Sequence, residues 1–187
     1  MIARQIKNSI GFTATIVLCI SCGSGGTGDE GDSGDSTQLD VTEFEMDSNR
    51  LSAVDFNNSL TGIFNSSTES VSTLFASGPD NVDANLENSL FEMQIDVAKV
   101  EAMGCDGGGV DSFKTAVFEL LVFYTTELGG SFENEIAPIL KMTKIDKANQ
   151  KKLDAYDLEF ASDEKILVDR VMAVQTEFAT LNNIKLQ

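Results

Sequence analysis

The chain has no histidine and no tryptophan, and it is poor in base: 13 Lys and Arg stand against 30 Asp and Glu in 187 residues, a formal net charge of -17. Each shortage excludes something. Without histidine there is no side chain that titrates unperturbed near neutral pH, no imidazole metal ligand, and no Ser-His or Cys-His dyad. A polyanion with so little basic surface does not bind nucleic acid by neutralising phosphates. The chain also lacks a long hydrophobic run. The most apolar stretch, Ile10 to Ile20, has eleven residues, whereas a membrane-spanning helix needs roughly 20. Cysteine is sparse, with only Cys19, Cys22 and Cys105, so no disulfide framework is expected. The chain is nevertheless 42% hydrophobic, enough for one buried core beside a flanking segment.

The short apolar run follows Arg4 and Lys7 and ends at Cys19-Ile20-Ser21-Cys22-Gly23. A basic start, a short apolar centre and a small residue at the end form a cleavable export signal. The Ser21-Cys22 pair matches the bacterial lipoprotein pattern, in which a small residue precedes a cysteine that is acylated and becomes the mature N-terminus. Residues 1–21 are therefore expected to be a lipoprotein signal peptide, with Cys22 carrying palmitate-type acyl chains. Cys19 is a poor acceptor because Leu18 precedes it. Each buried methylene contributes about 0.8 kcal/mol, so two or three acyl chains hold a protein at a membrane without a spanning helix.

Residues 22–47 form the next segment. From Gly23 to Asp47 it holds eight acids and no base, and its first half is Gly, Ser and Asp. Such a composition cannot bury enough apolar surface to offset its ordering entropy, so a flexible, self-repelling tether is expected. Gly23 to Gly28 fits the G-x-G-x-x-G dinucleotide pattern, but no strand-turn-helix surrounds it. Asp29 to Asp35 lacks the ligand order of a calcium loop. Glycine and acid directly after the lipidated cysteine resemble the export signal of surface-displayed lipoproteins. The expected location is a bacterial envelope, lipid-anchored at the outer membrane, with surface exposure favoured over the periplasmic face.

Residues 48–187 carry helical periodicity almost throughout and no alternating strand pattern. A first helix is expected from Ser48 to about Ser77, with Phe56, Leu60, Ile63, Phe64, Val71, Leu74 and Phe75 on its seam; Gly78-Pro79 stops it. Asp80 is expected to cap a second helix striped by Val82, Leu86, Leu90, Met93, Val97, Val100 and Met103. Gly104-Cys105-Asp106-Gly107-Gly108-Gly109 reads as a flexible connector. A third helix, capped by Asp111 or Ser112, carries Phe113, Ala116, Val117, Leu120, Leu121, Tyr124 and Leu128, and Gly129-Gly130 is expected to break it. Ser131 to Lys141 reads as a short helix kinked or ended at Pro138. The last runs from about Asp146 to Asn183 on Leu153, Tyr156, Phe160, Leu167, Val171, Val174, Phe178 and Leu181. Together these predict an all-α fold: an antiparallel up-down-up-down four-helix bundle with a short extra helix between helices three and four.

Three stretches carry a resemblance. They are Ala53-Val54-Asp55-Phe56-Asn57-Asn58, the glycine turn leading to Phe113-Lys114 with Phe123-Tyr124, and Val174-Gln175 through Glu177-Phe178-Ala179 to Asn182 and Ile184. On these the chain resembles a family of small, uncharacterised bacterial surface lipoproteins with a helical-bundle domain. The resemblance implies a lipid-anchored bundle and no catalytic residue.

No catalytic residue, cofactor or metal is expected from the residues themselves. A di-metal carboxylate bundle needs Glu-x-x-His, and Glu133 and Glu135 do not share a helix face. Glu87, Glu92, Asp96 and Glu101 read mostly as solvated. The one basic concentration is Lys141, Lys144, Lys147, Lys151 and Lys152. It is either a solvated helix start or a patch for an envelope protein or anionic lipid headgroups. The expected role is a lipid-anchored, non-catalytic interaction or structural module; the alternative is a carrier holding a small apolar ligand within the bundle.

Overall fold

The computed structural model describes residues 50–186. The signal peptide, Cys22 and the acidic tether lie outside the described residues, as do Ser48, Asn49 and Gln187. The order of elements is β1 (Arg50–Leu51), α1 (Ala53–Phe75), α2 (Val82–Ala102), β2 (Gly104–Cys105), α3 (Val110–Glu127), a π-helical turn (Leu128–Ile136), α4 (Ala137–Leu140) and α5 (Lys147–Leu181). The fold is an all-α helical bundle, and no described helix is long and apolar enough to cross a membrane.

α1 starts at Ala53 and not at the expected Ser48, because Arg50 and Leu51 pair as a strand. The Ser52 hydroxyl accepts the Asp55 backbone N–H at 3.1 Å and donates to the Asp55 carboxylate at 2.6 Å, a serine cap followed by an acid in the first turn. Its soft middle, Gly62 and Asn65 to Thr68, stays helical because Phe56, Leu60, Ile63, Phe64, Val71 and Leu74 bury the face around it. The turn after α1 closes when Asn81 donates to the Gly78 carbonyl at 3.0 Å with Pro79 between them, where the fixed φ of proline suits a turn.

Ser70 meets Ser89 at 2.9 Å, and Asn85 donates to Ser77 at 2.6 Å. Residue pairs between α1 and α2 thus run in opposite chain order. α3 touches α1, α2 and α5 and buries six of the residues expected on its seam, the seventh, Leu128, being buried in the π-helical turn. Phe56, Phe113 and Phe178 meet at ring-centroid distances of 5.4 to 6.3 Å and join α1, α3 and α5. A second aromatic group, Phe75, Phe123, Tyr124, Phe132, Tyr156 and Phe160, fills the other half of the core at 5.0 to 6.2 Å.

Several local expectations are corrected. Asn81 rather than Asp80 precedes α2, with no side-chain cap. Gly109 precedes α3 in place of Asp111 or Ser112, at φ 77°. Two short strands exist after all: β1 pairs in parallel with β2, Arg50 opposite Gly104 and Leu51 opposite Cys105. Two residues are too few for alternation to register in a sequence. Gly129-Gly130 does not break the helix. The chain continues as a π-helical turn that closes when Ala137 donates to the Phe132 carbonyl, five residues back. Wider than an α-helix, this turn keeps Leu128, Phe132 and Ile136, each four apart, buried together. It also precedes Pro138, which has no N–H to return to an α-helical ladder.

The glycine loop is not a loose connector. Asn182 donates to the Gly108 carbonyl at 2.9 Å and to the Phe178 carbonyl at 2.8 Å. A Cβ on Gly107 would strike the Asn182 side chain, and one on Gly108 would lie 3.2 Å from Leu181. Leu181, expected on the buried seam, is 54% exposed because it covers this loop instead of the core. α5 ends in a Schellman motif: Ile184 donates to Ala179 at 2.8 Å and Asn183 to Thr180 at 3.3 Å, with Asn183 left-handed at φ 55°. Two glycines should therefore respond oppositely to alanine. Gly109→Ala forces a Cβ into the left-handed region and should lower stability by about 1–2 kcal/mol. Gly62→Ala, in an open mid-helix position with nothing within 4 Å, should raise it by about 0.5–1 kcal/mol. Urea midpoints of the two variants measure both signs.

Candidate functional site

The five lysines cluster around the α4–α5 connection. Lys141 follows α4, Lys144 lies in the connection, Lys147 opens α5, and Lys151 and Lys152 follow in its next turn; all are exposed. Asp146 caps α5 by accepting the Asn149 N–H at 2.8 Å. Lys141 is committed to Asp83 of α2, at 2.9 and 3.0 Å from its two carboxylate oxygens. The other four form no ion pair among the described residues. Cations at a helix N-terminus oppose the macrodipole, so helix stability does not explain this placement.

The Lys141–Asp83 pair lines an open groove of about 650 Å³ between α2 and the π-helical turn. α2 supplies Asp83, Glu87 and Phe91; the opposite wall supplies Glu133, Asn134 and Lys141; Leu86 and Leu90 lie beneath. Amphipathic spacing explains the α2 wall. Leu86, Leu90 and Met93 turn inward, which leaves Glu87 and Phe91, four apart, on the outer side. Phe91 is 63% exposed. On the other wall, Asn134 donates to the Gly130 carbonyl at 2.8 Å, bracing the turn that presents Glu133. Spacing suggests a solvated Glu87 and a Glu133 that shares no helix face with Glu135; it does not show that Glu87 and Glu133 line one groove.

The polar groups inside the core were also missed. The Tyr124 hydroxyl donates to Glu164 Oε1 at 2.6 Å, and Thr68 Oγ1 stands 3.5 Å from the same hydroxyl. Glu164 is 6% exposed. Burial holds its carboxyl above the ordinary range, opposed by the hydrogen bond from Tyr124. Desolvation and the neighbouring Glu164 push the Tyr124 hydroxyl up as well. Gln175 donates to Thr61 Oγ1 at 2.7 Å, tying α5 to α1. Asp96, expected to be solvated, is buried and accepts Lys99 at 2.7 Å. A signal for two of these was present: Glu164 fills the seven-residue step from Phe160 to Leu167 on the α5 seam, and Gln175 lies four after Val171. Cys105 is buried and free, its thiol raised by burial and by Asp106 against the lowering effect of Arg50.

Among the described residues no group of three or more His, Cys, Asp or Glu side chains is placed to hold a metal ion. No protein-family model matches the chain, and neither the curated proteins nor the solved structures give a match.

Proposed function

We propose that the protein is a lipid-anchored bacterial envelope module that acts by non-catalytic interaction, held at the outer membrane through acylated Cys22 and displayed at the cell surface. The observation that carries the reading is the position of the groove and the lysines relative to the start of the domain. Arg50 pairs with Asp106 beside the glycine loop at 2.9 Å, where α5 ends. The lysines lie where α5 begins, and α5 has 35 residues, about 52 Å. Asp83 and the groove sit at the start of α2, also away from Arg50. An anchor N-terminal to Arg50 joins the domain at the end away from the groove and the lysines, which favours an envelope protein over headgroups of the anchoring membrane as partner. The carrier reading has less support, because the Phe-rich core is occupied by its own rings in mutual contact.

The anchor is tested by growing a bacterial host with labelled palmitate. Label and membrane retention are expected in the wild type and in Cys19→Ser, and both should be lost in Cys22→Ser; retained label in Cys22→Ser sinks the assignment. Native mass spectrometry of the Leu39–Gln187 fragment tests the rest. A ligand-free mass supports the module, and an extractable small molecule supports the carrier.

A further inference from the structure

We infer that the groove between α2 and the π-helical turn docks a cationic, partly apolar peptide segment of another protein, with a Lys or Arg side chain held between Glu87 and Glu133 against Phe91. Glu87 and Glu133 line opposite walls, and neither has an ion-pair partner among the described residues. Two carboxylates beside an exposed aromatic ring suit a cation: the carboxylates supply charge and the ring face attracts it further. Leu86 and Leu90 below offer contact to an apolar neighbour on the same segment. Lys141, on the same groove, is paired with Asp83 at 2.9 Å and forms no ion pair with Glu87 or Glu133.

Charge selects the occupant. The N-terminal segment Gly23 to Asp47 carries eight acids and no base, so it is repelled. A second copy brings 22 acids against 11 bases over residues 50–186, a net charge of -11, which opposes self-association, and its one basic cluster is held at the folded α4–α5 connection rather than on a free segment. A foreign cationic segment meets neither obstacle. The proposal rests on the reading of the protein as an interaction module and names the partner's chemistry.

The test uses the chain from residue 22 onward, with Cys22→Ser so that no lipid is attached, and a fluorescein-labelled (Lys-Leu-Arg-Ala)₃ peptide read by anisotropy at low salt. Saturable binding is expected, with none to (Glu-Leu-Asp-Ala)₃. Glu87→Gln combined with Glu133→Gln should weaken binding about tenfold, and Phe91→Ala by a similar factor, while Phe91→Tyr keeps it. Glu159→Gln with Asp163→Gln on α5 should leave it within about twofold. Equal loss from the two pairs of neutralisations means diffuse attraction to a polyanion and overturns the proposal. An unaffected Phe91→Ala, or sedimentation showing that the groove is filled by a second copy, also overturns it. All of these side chains are exposed, and circular dichroism confirms that the variants fold. If the triple variant Glu87→Gln, Glu133→Gln, Phe91→Ala still captures an envelope protein that the wild type captures, the interaction reading stands and the groove assignment falls.

Discussion

Replacing Tyr124 with phenylalanine is expected to lower the unfolding free energy by about 2–3 kcal/mol in urea denaturation at pH 7. The change removes one oxygen, but that oxygen is the donor to Glu164 Oε1 at 2.6 Å in a buried site. A buried acceptor that loses its partner keeps its full desolvation penalty, which is larger for a charged group. The same pair makes stability depend on pH. Burial raises the Glu164 carboxyl above its ordinary value, so the native state holds this proton more tightly than the unfolded chain, where a glutamate titrates near about 4.3. The resulting stabilisation is complete below that pH and is lost as pH rises through the folded value. Glu164→Gln, which keeps an acceptor oxygen and carries no charge, should therefore gain stability over the wild type at pH 8 and not at pH 4. Tyr124→Phe should steepen the loss with pH, because it removes the hydrogen bond that opposed the rise. A stability difference between Glu164→Gln and wild type that is flat from pH 4 to 8 would refute this account.

The second large effect belongs to Phe178. It is fully buried, and its ring lies 5.4 Å from Phe56 and 5.6 Å from Phe113. Phe178→Ala leaves a cavity where three helices meet and should cost about 3–5 kcal/mol. Domains of this size are stable by about 5–15 kcal/mol, so the variant should lose about a fifth or more of the total and show a depressed calorimetric midpoint. Leu158→Ala on the same helix is the matched comparison. Leu158 is 74% exposed, and its loss should change stability by no more than about 0.5 kcal/mol. Similar costs at the two positions would mean that α5 does not present the face described.

The helices were legible because burial follows the 3.6-residue repeat: the α2 stripe from Val82 to Met103 and the α3 seam from Phe113 to Leu128 are both buried or partly buried as their spacing predicts. The start of α5 near Asp146 was legible from periodicity, and Asp146 turns out to be its cap. What failed was local preference overruled by packing. Gly129-Gly130 disfavours a helix, yet Leu128, Phe132 and Ile136 all reach the core if the turn widens, and their burial decides it. Glu164 was passed over because a charged residue in a seam is taken for an interruption; its partner Tyr124 lies 40 positions away, and no local pattern links them. The groove was hidden for the same reason, since its walls come from α2 and from a turn more than forty residues later.

The contact between α1 and α5 bears on the order in which the chain can fold. Phe56 needs Phe178, and Thr61 needs Gln175, 114 positions further on. Among the described residues, α1 cannot complete its packing until α5 has been made. Contacts of such long range slow folding, because loop-closure entropy is lost before burial compensates for it. For a chain proposed to cross a membrane behind an N-terminal signal, a core that needs α5 would leave the matching face of α1 open until α5 has followed.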